Sequence, residues 1–238
     1  MGSTSRGRRR GVNPKGIPLS LLGRWMGKQG KNAKAFQEEM LSRQVTARGI
    51  VATRTIGAMR EVPRHAFLPG HSLKRAYRDR PQRIGHGQTI SQPYIIALMT
   101  SQLEELPRGS RLLEIGSGCG YQTAILVQMG FEVHALDIVP ELVERSSEVL
   151  RELDLSPTSL ACGDGRSGLP SIAPFSGVVS AACANEVPVT WLDQLSAGGI
   201  IVTPIGTRSN QNLVRIDKSA DGEVSTKTLC PVRFVPLV

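Results

Sequence analysis

Glu114, Gly116, Gly118 and Gly120 stand together in "EIGSGCGYQ", and two more acids come after them in order, Asp137 closing "EVHALD" and Asp164 within "GDG". Glycines between a strand and a helix let backbone N–H groups and the helix N-terminus approach a ligand closely. The loop is not a dinucleotide fingerprint, which would ask for Gly or Ala at position 121, where Tyr121 stands. Glu114, two residues before the first glycine, suits a cationic ligand, whereas a pyrophosphate would be repelled. Asp137, 21 residues beyond Gly116, can accept hydrogen bonds from both hydroxyls of a ribose. Asp164 can meet an adenine amino group. Each acid alone has a plainer use as a cap for the helix after its strand. The ordered set of three asks for a nucleoside carrying an amino acid and a positive centre: S-adenosyl-L-methionine.

A second group of small polar residues, "IGHGQTISQPY", precedes the apolar run "YIIALMTSQLEEL". Ser91 has two readings there, as the N-cap of a helix beginning near Pro93 or as a hydroxyl that orients a substrate. Thr89, two positions earlier, can line the same pocket. His65 and His86 read as loop residues. Cys119, Cys162, Cys183 and Cys230 show no C-x-x-C pair and no His at ligand spacing, so neither a disulfide framework nor a metal site is indicated. A reducing cytoplasm fits best.

These residues need a scaffold, and the chain beyond Gly109 supplies one by alternating apolar strands with amphipathic helices, the pattern of a parallel sheet covered on both faces. "RLLEI", "EVHALD", "SLACGDG", "SGVVSAA" and "GGIIVTPIG" read as strands. "YQTAILVQM", "PELVERSSEVLREL" and "PVTWLDQL" read as helices. "NLVRIDK", "EVSTKTL" and "VRFVPLV" are expected as short closing strands, with a turn at "ADGE". Upstream, residues 36–59 have helical spacing with a break at Gly49. Pro63, Pro69 and Pro81 make the next stretch a loop with one extended element.

The chain has 238 residues and a formal charge of +9, but nine cations and no acid lie in residues 1–37, so the remaining twenty cations balance the twenty acids. Basicity belongs to the extension, residues 1–35, which is rich in Gly and cations and is expected to be largely disordered. Its Arg cluster resembles the start of a signal peptide, yet Pro14, Gly16, Pro18 and Gly23 interrupt the segment where an apolar run would have to lie. No stretch approaches the roughly 18 apolar residues of a membrane span.

The stretches "VPRHAFLPG", "AYRDRPQRIGHGQTISQPYIIALMTSQLE", "LLEIGSGCGYQTAILVQMG", "GDGRSGLPSIAPFSGVV" and "VPVTWLDQLSAGGIIVTPIG", with the closing "VRFVPLV", resemble the protein-L-isoaspartate O-methyltransferase (protein-beta-aspartate methyltransferase) family. The glycine loop is shared by many methyltransferases, whereas "GQTISQPY" is specific to this family. The resemblance implies an α/β fold: a Rossmann-like class I methyltransferase sheet over 106–238, with antiparallel C-terminal strands and an added helical and substrate-loop segment over 36–105. It implies a cofactor pocket at Glu114, Gly116, Ser117, Gly118, Asp137, Asp164 and Gly165. Thr89, Ile90 and Ser91 would bind substrate, with Ser91 as the active-site serine. Asp137 stands where many relatives have Glu, and Cys183 and Asn185 depart from the family pattern. The partners implied are isoaspartyl-containing proteins and peptides. A monomer is expected, because a site that receives protein chains must stay open.

Two other functions stay open at this level. One is a nucleic-acid methyltransferase guided by the basic extension, although no Asn/Asp-Pro-Pro-aromatic motif is present. The other is a cofactor-binding module without catalysis.

Overall fold

The computed structural model describes residues 28–238. Helix α1 (Lys28–Met40) therefore begins ahead of the expected boundary at residue 36, and the rest of the basic extension lies outside the described residues. A π turn (Leu41–Val45) and a 3-10 turn (Thr46–Arg48) end at Gly49, whose φ of +90° makes the expected break before α2 (Thr53–Glu61). The Pro-punctuated stretch holds more than a loop. It contains a 3-10 turn (Arg64–Phe67), the short α3 (Leu73–Ala76) and a hairpin of β1 (Gln82–Gly85) and β2 (Gln88–Ile90). None is long enough to show a period. The hairpin reverses through Gly85, His86 and Gly87, all with left-handed φ. Helix α4 (Pro93–Ser101) comes next.

Then come β3 (Arg111–Ile115), α5 (Tyr121–Gln128), β4 (Glu132–Asp137), α6 (Pro140–Glu152), β5 (Ser159–Cys162) and β6 (Phe175–Ser180). A two-residue β7 (Ala182–Cys183), α7 (Val189–Asp193), β8 (Leu195–Thr207), β9 (Asn210–Lys218), β10 (Val224–Val232) and β11 (Val235–Pro236) complete the chain. Seven strands form one sheet in the order β10-β9-β8-β6-β3-β4-β5, with β9 antiparallel to both neighbours and the rest of the core parallel.

Neighbouring residues on each strand face opposite sides, as a period of two requires. Leu112, Val179, Val202 and Leu213 pack on one side with α5, α6 and the N-terminal helices. Leu113, Val178, Ile201 and Val214 pack on the other with Trp191 of α7. The first core runs without interruption from Met40, Met59 and Phe67 to Tyr121 and Leu126, so residues 36–105 and the sheet share it. Strand order reverses between β3 and β6. Because α5 leaves β3 toward one face and the chain after β6 leads to the opposite one, a crevice opens at their C-terminal ends.

The closing "VRFVPLV" is not one strand. Gln211 stands in for a strand partner at Phe234, donating from Nε2 to its carbonyl (3.2 Å) and accepting from its N–H (2.6 Å). That contact ends β10, and β11 pairs in parallel with β7 across the mouth of the crevice. Among the described residues no helix is long and apolar enough to cross a membrane, and no group of three or more His, Cys, Asp or Glu is placed to hold a metal.

Candidate functional site

The glycine loop leaves β3 with left-handed φ at Gly116, Gly118 and Gly120. At Gly120 the reason is close packing as well: a Cβ there would sit 3.0 Å from Leu150 Cδ1 and 3.1 Å from Ser146 Cβ on α6. Asp137, at the end of β4, accepts from Gly118 N–H (2.7 Å) with Oδ2 and from Val139 N–H (2.9 Å) with Oδ1. Gly165 packs so tightly that a Cβ would collide with Ile115 Cγ2, and its carbonyl accepts from the buried Trp191 indole (2.8 Å). The loop, the strand-end acid and the 163–165 segment thus meet around one crevice, lined by Gly116, Gly118, Asp137, Ile138, Gly163 and Gly165.

Glu114 and Ser117 lie beneath this crevice and do not line it. Both carboxylate oxygens of Glu114 and the Ser117 hydroxyl are buried without a hydrogen-bond partner among the described residues. Burial pushes the Glu114 carboxyl up to about 7; the nearby Thr123 hydroxyl offsets part of the rise, and the negative Asp137 adds to it. A buried, unpaired acid under a glycine loop is stabilised by a positive charge above it. The residues present therefore fit a cationic nucleoside better than a phosphorylated one.

Asp164 departs from the expectation. It is absent from the crevice lining, and its carboxylate is held by Arg166 through Nε (3.0 Å to each oxygen) and Nη2 (2.7 Å). It also caps the following turn by accepting from Arg166 N–H (2.9 Å). These contacts lower its pKa. Of its neighbours, Gly165 lines the crevice as expected, and Gly163 lines it as well.

Ser91 is not the cap of α4. The N-cap is Gln92, with Pro93 in the first turn, so Ser91 lies one residue outside the helix. Its hydroxyl makes no hydrogen bond to any described residue, while its carbonyl accepts from Arg64 Nη2 (2.7 Å). Ser91 and Thr89 line a second cavity of about 390 Å³ with Gln92, Ile95, Arg233 and Phe234. Ile90, expected beside them, packs into the core at 4% exposure, because adjacent residues of an extended chain point to opposite sides. His86 sits exposed at the hairpin tip with φ 51°, and His65 Nδ1 lies 2.8 Å from the Tyr77 hydroxyl; neither lines a cavity at the site.

The two cavities share Thr89, Ala181 and Val235 as a common wall, and their charges differ. Asp137 is the charged side chain of the first and Arg233 of the second, which has no carboxylate in its lining. A cationic donor and an anionic acceptor placed in these two spaces would meet over that wall. Sequence reasoning missed several lining residues. Ile138 carried a readable signal, as the apolar residue after the strand-end acid. Ile84, Gln88 and Val235–Val238 reach the crevice only through the hairpin and β11, which no local pattern announces.

A mostly parallel sheet that reverses order at a glycine loop, with a strand-end acid in the crevice and an antiparallel β9 toward one edge, is the Rossmann-like architecture of the class I methyltransferases. Residues 35–238 match the sequence profile of the Protein-L-isoaspartate(D-aspartate) O-methyltransferase family. The chain belongs to that family. It is 43% identical over 199 residues to the protein-L-isoaspartate O-methyltransferase of Gloeobacter violaceus, covering 83% of this chain and 96% of that protein. The enzyme of Methanoculleus marisnigri is 43% identical over 202 residues, covering 85% of this chain and 91% of that protein. A Plasmodium falciparum structure described as a putative protein-L-isoaspartate O-methyltransferase in complex with S-adenosyl-L-homocysteine superposes with a TM-score of 0.73. It is 27% identical, over 87% of this chain and 98% of that one.

Proposed function

We propose that Ser91 orients the acceptor carboxylate in the reaction this family performs. The chain is a repair methyltransferase that moves a methyl group from S-adenosyl-L-methionine to the free carboxylate of L-isoaspartyl residues in damaged proteins. When bound, the cofactor supplies an electrophilic methyl group on a cationic sulfur. Gly116, Gly118, Asp137, Gly163 and Gly165 would line its place, with Glu114 and Ser117 beneath and Asp164 at the margin. Thr89, Ser91 and Arg233 would face the acceptor.

The observation that carries this reading is the pair of cavities on either side of Thr89, Ala181 and Val235, with the acid on the donor side and the free serine hydroxyl on the acceptor side. A carboxylate and a sulfonium lose charge as they react, so a cleft that excludes water favours the transition state over the separated ions. A carboxylate with a pKa near about 4 is already ionised at neutral pH, and no general base is required. The remaining work is alignment, which can contribute on the order of 7 to 11 kcal/mol. A neutral hydroxyl can aim the carboxylate without stabilising its charge as an ion pair would. Ser91 acts here as an orienting donor, with no covalent intermediate on its oxygen.

The four cysteines are free thiols, which supports a reducing, cytoplasmic setting. An open acceptor cavity supports a monomer. The direct test is incubation with labelled cofactor and matched peptides that differ only in isoaspartate against aspartate. The expected result is a base-labile methyl ester on the isoaspartyl peptide. Equal labelling of both, or of nucleic acid, would contradict the reading.

A further inference from the structure

Arg64, in "VPRHAFLPG", is fully buried. Its Nε donates to the carbonyl of Ala76 (2.9 Å) and its Nη2 to the carbonyl of Ser91 (2.7 Å). Its guanidinium carbon lies 5.0 Å from the centre of the Tyr121 ring, and Cys119 is close by in the glycine loop. No carboxylate stands among the groups that influence it. Nη1 and the Tyr121 hydroxyl are both buried, neither makes a hydrogen bond of good geometry among the described residues, and the two side chains act on one another across a looser polar contact.

A buried, unpaired cation is costly, and a hydrophobic side chain of similar volume would suit a core of pure packing better. What the guanidinium does is geometric. One end of its planar fork holds the backbone of Ser91, the residue proposed to aim the acceptor, and its face rests on Tyr121, the first residue of α5, directly after the glycine loop. No other side chain makes a polar contact with Ser91 among the described residues.

We propose that Arg64 is a positioning residue for methyl transfer, fixing Ser91 relative to the Cys119–Tyr121 turn so that acceptor and donor stand in line. This rests on the reading of Ser91 given above. Displacing a reacting group by about 1 Å can cost on the order of a hundredfold in rate. Loss of the guanidinium would free the Ser91 backbone without touching either binding cavity, so turnover suffers while affinity for cofactor and peptide is largely kept.

The test uses Arg64→Lys and Arg64→Met in the full chain, alone and combined with Ser91→Ala. Turnover is normalised to the number of S-adenosyl-L-homocysteine sites, so that misfolded protein does not count. The expected result is a kcat at least about tenfold lower in Arg64→Met, with peptide KM and S-adenosyl-L-homocysteine Kd within about threefold of the wild type, and partial recovery in Arg64→Lys. The losses from Arg64→Met and Ser91→Ala should not multiply, because the arginine acts through the serine. Wild-type kcat in Arg64→Met, alongside a slowed Ser91→Ala, would overturn the proposal and leave the Ser91 reading standing. Unchanged turnover in Ser91→Ala would remove that reading itself. Multiplying losses, or variants without cofactor sites, would make Arg64 a residue of the fold alone and also overturn the proposal.

Discussion

The N–H of Gly118 donates a 2.7 Å hydrogen bond to Asp137, and through it the glycine loop is fastened to the end of the neighbouring strand. The other carboxylate oxygen accepts from Val139 N–H (2.9 Å), so Asp137 shapes the crevice that it also lines. Asp137→Asn replaces one carboxylate oxygen with an NH2 group, which cannot accept a hydrogen bond, so only one of the two N–H contacts can be kept. S-adenosyl-L-homocysteine should bind about tenfold or more weakly, read by calorimetry, with the fold retained. Unchanged affinity would remove Asp137 from the site.

Glu114 makes the cofactor-free protein sensitive to pH. Burial raises its carboxyl to about 7, above the unfolded value of 4.5, so between these values the folded state holds a proton that the unfolded state has released. Stability therefore falls as pH rises from about 4.5 to 7, and is lower above that window than below it. Glu114→Gln should flatten this part of the stability profile measured by urea unfolding. A cationic cofactor favours the ionised acid, so binding near pH ~6 should release a proton, detectable as a buffer-dependent heat in calorimetry. Proton release that persists in Glu114→Gln would assign it elsewhere.

The cofactor crevice encloses only about 60 Å³, against roughly 300 to 1,000 Å³ for clefts that hold small molecules. Its outer wall is the β1–β2 hairpin, through Ile84, Gln88 and Thr89, together with Val235–Val238. On this account the cofactor enters as these walls separate. Amide exchange should be fast at Thr89 and Leu237 in the free protein and slow when S-adenosyl-L-homocysteine is bound, with the β3 and β4 amides slow in both states. Protection that is the same in both states would show a crevice open in some other way.

Arg233 is the cation of the second cavity, the one proposed to receive the acceptor, and is exposed there. Arg233→Ala should raise the KM for isoaspartyl peptides several-fold while changing kcat less, and should weaken the dependence of KM on salt. A loss confined to kcat would place the guanidinium at the reacting atoms instead.

The longer strands and helices beyond Gly109 are legible in the sequence because they are long enough to show their period, and β3, β4 and β5 are further marked by a following glycine or a closing acid. The hairpin and β11 are not. The first is made by three consecutive left-handed residues, and the second pairs two residues with a distant partner and depends on Gln211 gripping Phe234. The glycine loop and Asp137 can be placed from sequence because their chemistry is local. Asp164 cannot, because Arg166, two residues on, competes for its carboxylate. Ile90 follows from strand alternation once β2 is known. The burial of Arg64 has no signal in the sequence at all, since a cation among prolines reads as a surface loop.

The role of Ser91 is decided by the methylation rate of an isoaspartyl peptide by Ser91→Ala at saturating cofactor, with S-adenosyl-L-homocysteine affinity measured on the same preparation. A serine that aims the acceptor carboxylate predicts a kcat lower by about 5- to 30-fold, in keeping with the loss of one orienting hydrogen bond of roughly 1 to 2 kcal/mol, and an unchanged affinity. Wild-type turnover with intact cofactor binding would contradict that role.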